Sequence, residues 1–146
     1  MIIMTGVAEF NRALDELVAR ASAASRAAVA TGGHLLEAEA KRLLGLTSHV
    51  HGTQTPSGPG QPPSLITGTL RRSIKVTAPE STGPTGWTIS VGPSVIYGRI
   101  QELGGNTGRG GATHLPPRPY MEPALKKVID DGSLAACYAT AWRTAF

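Results

Sequence analysis

His49 and His51 stand two residues apart. On an extended strand two such side chains point the same way, so one metal ion is the first chemistry this sequence offers. A structural zinc site needs four ligands, mainly Cys and His. The other candidates are His34, His114 and the single cysteine, Cys137, all distant in sequence. Loop histidines in solvent are therefore the plainer reading, and no metal is expected. A lone cysteine forms no internal disulfide. In its Ala-rich helical setting Cys137 reads as a small buried hydrophobe.

Other reactive pairings fare no better. Glu102 and His114 would make an acid–base pair, but nothing in the sequence fixes their geometry. Every acidic residue of the middle region is single, so a paired-carboxylate mechanism has no footing. The Gly-rich run GGNTGRGG (104–111) lacks the strand-then-helix setting that cradles phosphate, and no GxxxxGK[ST] motif is present. Nor is there a GxSxG elbow. The sequence is read as that of a non-enzyme without a cofactor.

Charge placement is more informative than the net value of +4. Residues 1–45 carry five basic and five acidic groups, and residues 121–146 carry three of each. The excess lies between: Arg71, Arg72, Lys75, Arg99, Arg109 and Arg118 against Glu80 and Glu102. Such a surface suits nucleic acid or an acidic protein face. Arg71, Arg72, Lys75 and Arg109 are the residues expected to meet nucleic acid on it. Arg71-Arg72 has no interleaved aromatic for base stacking. A small basic nucleic-acid-binding module is thus the alternative reading, and pairing of these arginines with helix carboxylates is the structural one.

These residues must be positioned by the elements around them. Val7, Phe10, Leu14, Leu17, Val18, Ala21 and Ala24/Ala28 recur at helical steps, with Thr5 as N-cap and Glu9 in the first turn. Leu35, Leu36, Ala40, Leu43 and Leu44 continue the period to Gly45. Gly32-Gly33 lies between, costing about 2 kcal/mol of helix propensity. The segment is either one helix of about 60 Å or two helices meeting at a bend. Either is longer than so small a core requires, so part of it is expected to pack on another chain. Residues 46–66 carry no formal charge and are rich in Gly, Pro, Ser and Thr, which reads as a long exposed loop. Ile74/Val76/Ala78 and Trp87/Ile89/Val91 alternate with polar residues around a turn at 80–86, predicting a β-hairpin. Residues 96–103 form a short helix or a third strand. The Gly-rich stretch 104–115 is a second extended loop, and from Tyr120 the pattern is helical with a possible break at Gly132. Helix, strands, helix in one domain of 146 residues gives an α+β fold: long N-terminal and C-terminal helices on a small antiparallel sheet. No basic leader precedes the N-terminal apolar run, and no stretch reaches the roughly 18 apolar residues of a membrane span. A soluble protein of a reducing compartment is expected.

Three segments carry a resemblance. TGTLRRSI (67–74) resembles a T-G-x-L-x-x-S-I element, VIYGRIQELGG (95–105) a Y-A-x-x-x-E-x-G segment, and LPPRPYMEPAL (115–125) a P-x-R-P-F-x-x-P-A helix entry. All three occur, in this order, in the phage putative tail-component family, the gene-ten type of the HK lambdoid phages. Gly98 stands where that family usually has alanine and Tyr120 where it has phenylalanine. The neutral loop before TGTL replaces a shorter stretch. The resemblance implies a virion protein of the neck or tail, assembled in the host cytoplasm. It implies a homo-oligomeric ring of six or twelve copies at the head–tail junction. That ring would join the tail, or its terminator, to the head connector around packaged DNA. Connector, stopper, terminator or tail-tube proteins are then the neighbours. Within this frame Tyr97, Glu102, Arg109, Arg118, Tyr120 and Met121 are the expected interaction residues, with a Glu102–Arg118 salt bridge closing the Gly-rich loop.

Overall fold

The computed structural model describes residues 5–50, 52 and 57–146. It is an α+β fold built on one long helix, α1 (Thr5–Leu43). Thr5, expected as the cap, is already helical, and the residues before it lie outside the described part. The remaining helices are α2 (Thr69–Ser73), α3 (Gly98–Leu103), α4 (Met121–Asp130) and α5 (Ser133–Ala145). Strands are β1 (Ile74–Val76), β2 (Glu80–Ser81), β3 (Trp87–Thr88), β4 (Val91–Pro93), β5 (Gly105–Thr107) and β6 (Thr113–Leu115).

Gly32-Gly33 does not interrupt α1; it is where two neighbours press close. A Cβ on Gly32 would lie 2.7 Å from Leu134 Cδ1 of α5. One on Gly33 would lie 2.9 Å from Ile89 Cδ1 and 3.1 Å from Val76 Cγ1 of the hairpin. The propensity lost at these glycines is exchanged for close approach on two sides of the helix.

The predicted hairpin forms with a fault in it. Ile74 pairs with Pro93 and Val76 with Val91, but Glu80 pairs with Thr88 and Ser81 with Trp87. Three residues, 77–79, face two, 89–90, so the register slips by one. That is the signature of a bulge, which splits the ladder into two short antiparallel pairs. Trp87 ties the outer pair to α1: its indole N–H donates to Ser22 Oγ at 3.1 Å, and Arg26 lies 5.5 Å from the ring centroid.

The core sits where the inner end of α1 meets β1 and α4. Ala40, Leu44, Ile74, Tyr120 and Ala124 are buried there, with Leu36, Leu70, Val91 and Met121 packed around them. Gly132 at φ 77° ends α4 and turns the chain into α5. Asp131 accepts the Ser133 N–H at 2.9 Å. Hydrogen bonds from Ser133 and Lys127 draw the Asp131 carboxyl down to about 2. From that turn α5 runs back along α1.

The stretch 104–115, expected as a loop, is a second hairpin: β5 pairs with β6 around a 3₁₀ turn at Arg109–Gly111. Gly108, Gly110 and Gly111 have φ of 81°, 70° and 72°, and this left-handed backbone is what closes so tight a turn.

Candidate functional site: the helix-entry corner

Helix α4 starts with a problem its own sequence does not solve. The first turn of a helix leaves backbone N–H groups without partners, and Ser, Thr, Asp or Asn usually caps them. Here Tyr120 occupies the cap position and makes no such bond. Glu102 of α3 supplies the acceptor instead. Its Oε2 accepts the N–H groups of Tyr120 at 2.7 Å and Met121 at 2.9 Å, and its Oε1 accepts that of Glu122 at 2.9 Å. The next residue, Pro123, has no N–H to satisfy. One carboxylate therefore serves the whole helix start and places its negative charge at the positive end of the helix dipole.

This corrects the expected Glu102–Arg118 salt bridge. Both carboxylate oxygens are already engaged by three backbone N–H groups. Arg118 turns the other way. Its Nε donates to the Ser57 carbonyl at 3.1 Å, and its backbone N–H donates to Gln101 O at 2.8 Å. Gly60 N–H donates to Pro117 O at 2.9 Å, so residues 57–60 are fastened to the Pro-rich corner. The same loop is closed at its base, where His49 N–H bonds Leu65 O and Leu65 N–H bonds Thr47 O.

Tyr120 is fully buried, and its hydroxyl donates to Gly98 O at 3.1 Å. Burial, with the Glu102 carboxylate close by, pushes its phenol well above the ordinary tyrosine range. Gly98 leaves room for this contact. A Cβ there would lie 2.6 Å from Pro93 Cβ, closer still to Pro93 Cγ, and 3.3 Å from the Tyr120 oxygen. Gly98→Ala is therefore expected to cost about 2 kcal/mol as overpacking against a rigid ring. Thermal melting should report it as a fall of several degrees, and an unchanged midpoint would mean that Pro93 yields freely. Gly104 plays a similar part at the end of α3: its φ is 69°, and a Cβ would meet Leu115 O and Pro117 N, each at 2.8 Å.

Of the expected interaction residues, Glu102, Tyr120, Met121 and the Arg118 backbone meet at this corner. Tyr97, 40% exposed, instead lines a neighbouring cleft with Leu44, Ile66 and Gln101. Arg109 is carried to the tip of the β5–β6 hairpin. Arg71 sits at the far end of α1, where its Nε donates to Lys41 O at 2.9 Å and satisfies a C-terminal carbonyl of that helix. Arg72 lies over Gly68, with NH1 3.0 Å from where a Cβ would stand. Lys75 is exposed in β1 opposite Gly92. None of these cations forms a salt bridge among the described residues. The backbone roles of Gly98 and Gly104 were missed by sequence reasoning, although a glycine just past an apolar helix end is itself a stop signal.

No group of three or more metal-ligating side chains occurs among the described residues, and His51 lies outside them. No described helix is long and apolar enough to cross a membrane. The corner fixes a helix start by hydrogen bonds to backbone. No family model, curated protein or solved structure matches the chain.

Proposed function

We propose that this chain is a structural protein of a tailed-phage particle. It assembles into a ring of six or twelve copies at the head–tail junction and performs no catalysis. The three resembling segments, TGTLRRSI, VIYGRIQELGG and LPPRPYMEPAL, support a place in the virion. In this reading the ring completes the tail and joins it, or its terminator, to the head connector.

The observation that carries assembly is the outer half of α1. Residues 6–20 are exposed all round, yet Val7, Phe10, Leu14 and Leu17 form one apolar stripe there. The steps of three and four continue through Ala21, Ala24 and Ala28, the heptad pattern of a helix that packs on another helix. Ala24 and Ala28 are buried, and α5 passes beside this part of α1; the larger residues Val7, Phe10, Leu14 and Leu17 are left exposed by the described residues. Large side chains at these positions are the reverse of what a solitary surface helix carries.

Light scattering coupled to size exclusion tests this. The expected mass is a multiple of 15.2 kDa corresponding to a closed ring, alone or with connector and tail proteins. A strict monomer in every mixture overturns the reading. Particles lacking the protein should show normal tails detached from heads; tails of uncontrolled length would assign it as a terminator instead.

A further inference from the structure

The apolar stripe of α1 is covered along part of its length and bare along the rest. Leu134 of α5 lies against Gly32, and α5 runs back along α1 from there. Each further residue of α5 comes level with one a step earlier on α1, so Ala145, its last residue, arrives near Ala21. Ala145 and Ala23 line the same groove, and exposure changes at this level: residues 6–20 are exposed, whereas Ala21 and Ser22 are half-buried. The bare length rises roughly 22 Å. It carries Val7, Phe10, Leu14 and Leu17, with Phe10 62% and Leu17 53% exposed. Their steps of three and four make them a and d positions. The flanking positions hold Gly6, Asn11, Ala13, Val18 and Arg20.

We infer that a second copy of this chain covers the bare length with the same length of its own α1, antiparallel, about a two-fold axis at the level of residue 12. In that register Val7 packs on Leu17 of the partner subunit and Phe10 on Leu14 of the partner subunit. Four apolar layers form, and no large stripe residue is left over. Sterics set the direction. A parallel partner would run on past residue 20 and enter the space that α5 fills. An antiparallel one brings its Thr5 level with residue 19, just short of the end of α5. The incoming helix then continues the line of α5, and the negative end of α5 meets its positive end. The exposed Trp142–Phe146 stack, with centroids 5.3 Å apart, stands at that junction. Arg20, the charged residue nearest the stripe, falls at opposite ends of the seam in the two copies, about 24 Å apart. Val7, Phe10, Leu14, Leu17 and Val18 expose on the order of 400 Å² per copy. With the flanking residues and the helix junctions the pair reaches about 1,000 Å², the size of a small specific interface. The contact closes on two copies, so a ring needs a further surface besides it. The pairing rests on the reading of α1 as an assembly helix.

Cysteine placement reads the register directly. In a Cys137→Ala background, Val7→Cys copies mixed with Leu17→Cys copies should form disulfide-linked pairs under mild oxidation. Neither should do so alone, because like positions lie about 15 Å apart along the seam, beyond disulfide reach. Leu14→Glu should weaken the pair tenfold or more on dilution followed by light scattering, with helical circular dichroism unchanged. Arg12→Glu, on the opposite face of the helix, should leave the pair intact. Val7→Cys copies that link to themselves overturn the inference. So does the absence of mixed links in a sample that light scattering shows to be assembled, and that result leaves the ring reading standing. Pairs that link as expected but never exceed two copies, in any mixture with connector or tail proteins, uphold the pairing and remove the ring. A monomer throughout removes both.

Discussion

Tyr120→Ala is expected to lower stability by about 4 kcal/mol, the cost of deleting a buried aromatic ring from a core that relaxes only in part. For a chain of this size that corresponds to a fall on the order of 12 °C in the melting midpoint. The ring sits with Ala40, Leu44, Ile74 and Ala124, and the two alanines are too short to reach into the space it would leave. Tyr120→Phe separates the hydroxyl from the ring. It should cost only about 1 kcal/mol, the net worth of one hydrogen bond to Gly98 O. The phenol's raised ionisation also gives a pH signature. The folded state holds the neutral form more tightly than the unfolded state does. Stability is thus complete below the ordinary tyrosine range, near pH 10, and declines as pH rises above it. Chemical denaturation across that range should show a steeper decline for the parent than for Tyr120→Phe. Equal slopes would mean that the hydroxyl is solvated.

The second large effect is expected at Glu102. Glu102→Ala removes the acceptor of three backbone N–H groups at once. Charge-assisted bonds are worth more than neutral ones, but water can reach part of this site. A loss of about 3 kcal/mol is expected, above the usual range for a single cap. Glu102→Gln keeps one carbonyl oxygen and should fall between the parent and alanine. Denaturant unfolding monitored by helical circular dichroism decides it. Glu102→Ala as stable as the parent would show that the helix start needs no cap from α3. The two variants act on one helix entry, so combining them should cost less than their sum.

How far the sequence speaks depends on which groups it names. The stripe on α1 is legible because its period is written in side chains, and so is the antiparallel pairing of the Ile74 and Trp87 segments. The bulge is not, since a slip of one residue leaves the alternation of apolar residues nearly unchanged. Gly32-Gly33 is ambiguous in sequence: glycine serves both as a weak point and as a place of contact, and only the positions of Leu134 and Ile89 decide between them. Glu102 was paired with Arg118 across the Gly-rich loop because backbone N–H groups have no letter. A clue was present nonetheless. A helix entered by Pro117 and Pro119, with Tyr120 where a capping residue belongs, must find its acceptor elsewhere in the chain.

The tethered segment at Ser57 and Gly60 has a consequence for what remains available outside. A bare carbonyl and a forked cation along a proline-stiffened margin would invite any passing strand or carboxylate. Pro117 O and Arg118 Nε are both spent inward, on the chain's own tether. That margin is thereby retired from commerce with strangers, much as natural sheets blunt their borders. Residues 57–60 act as a built-in bandage over a sensitive rim.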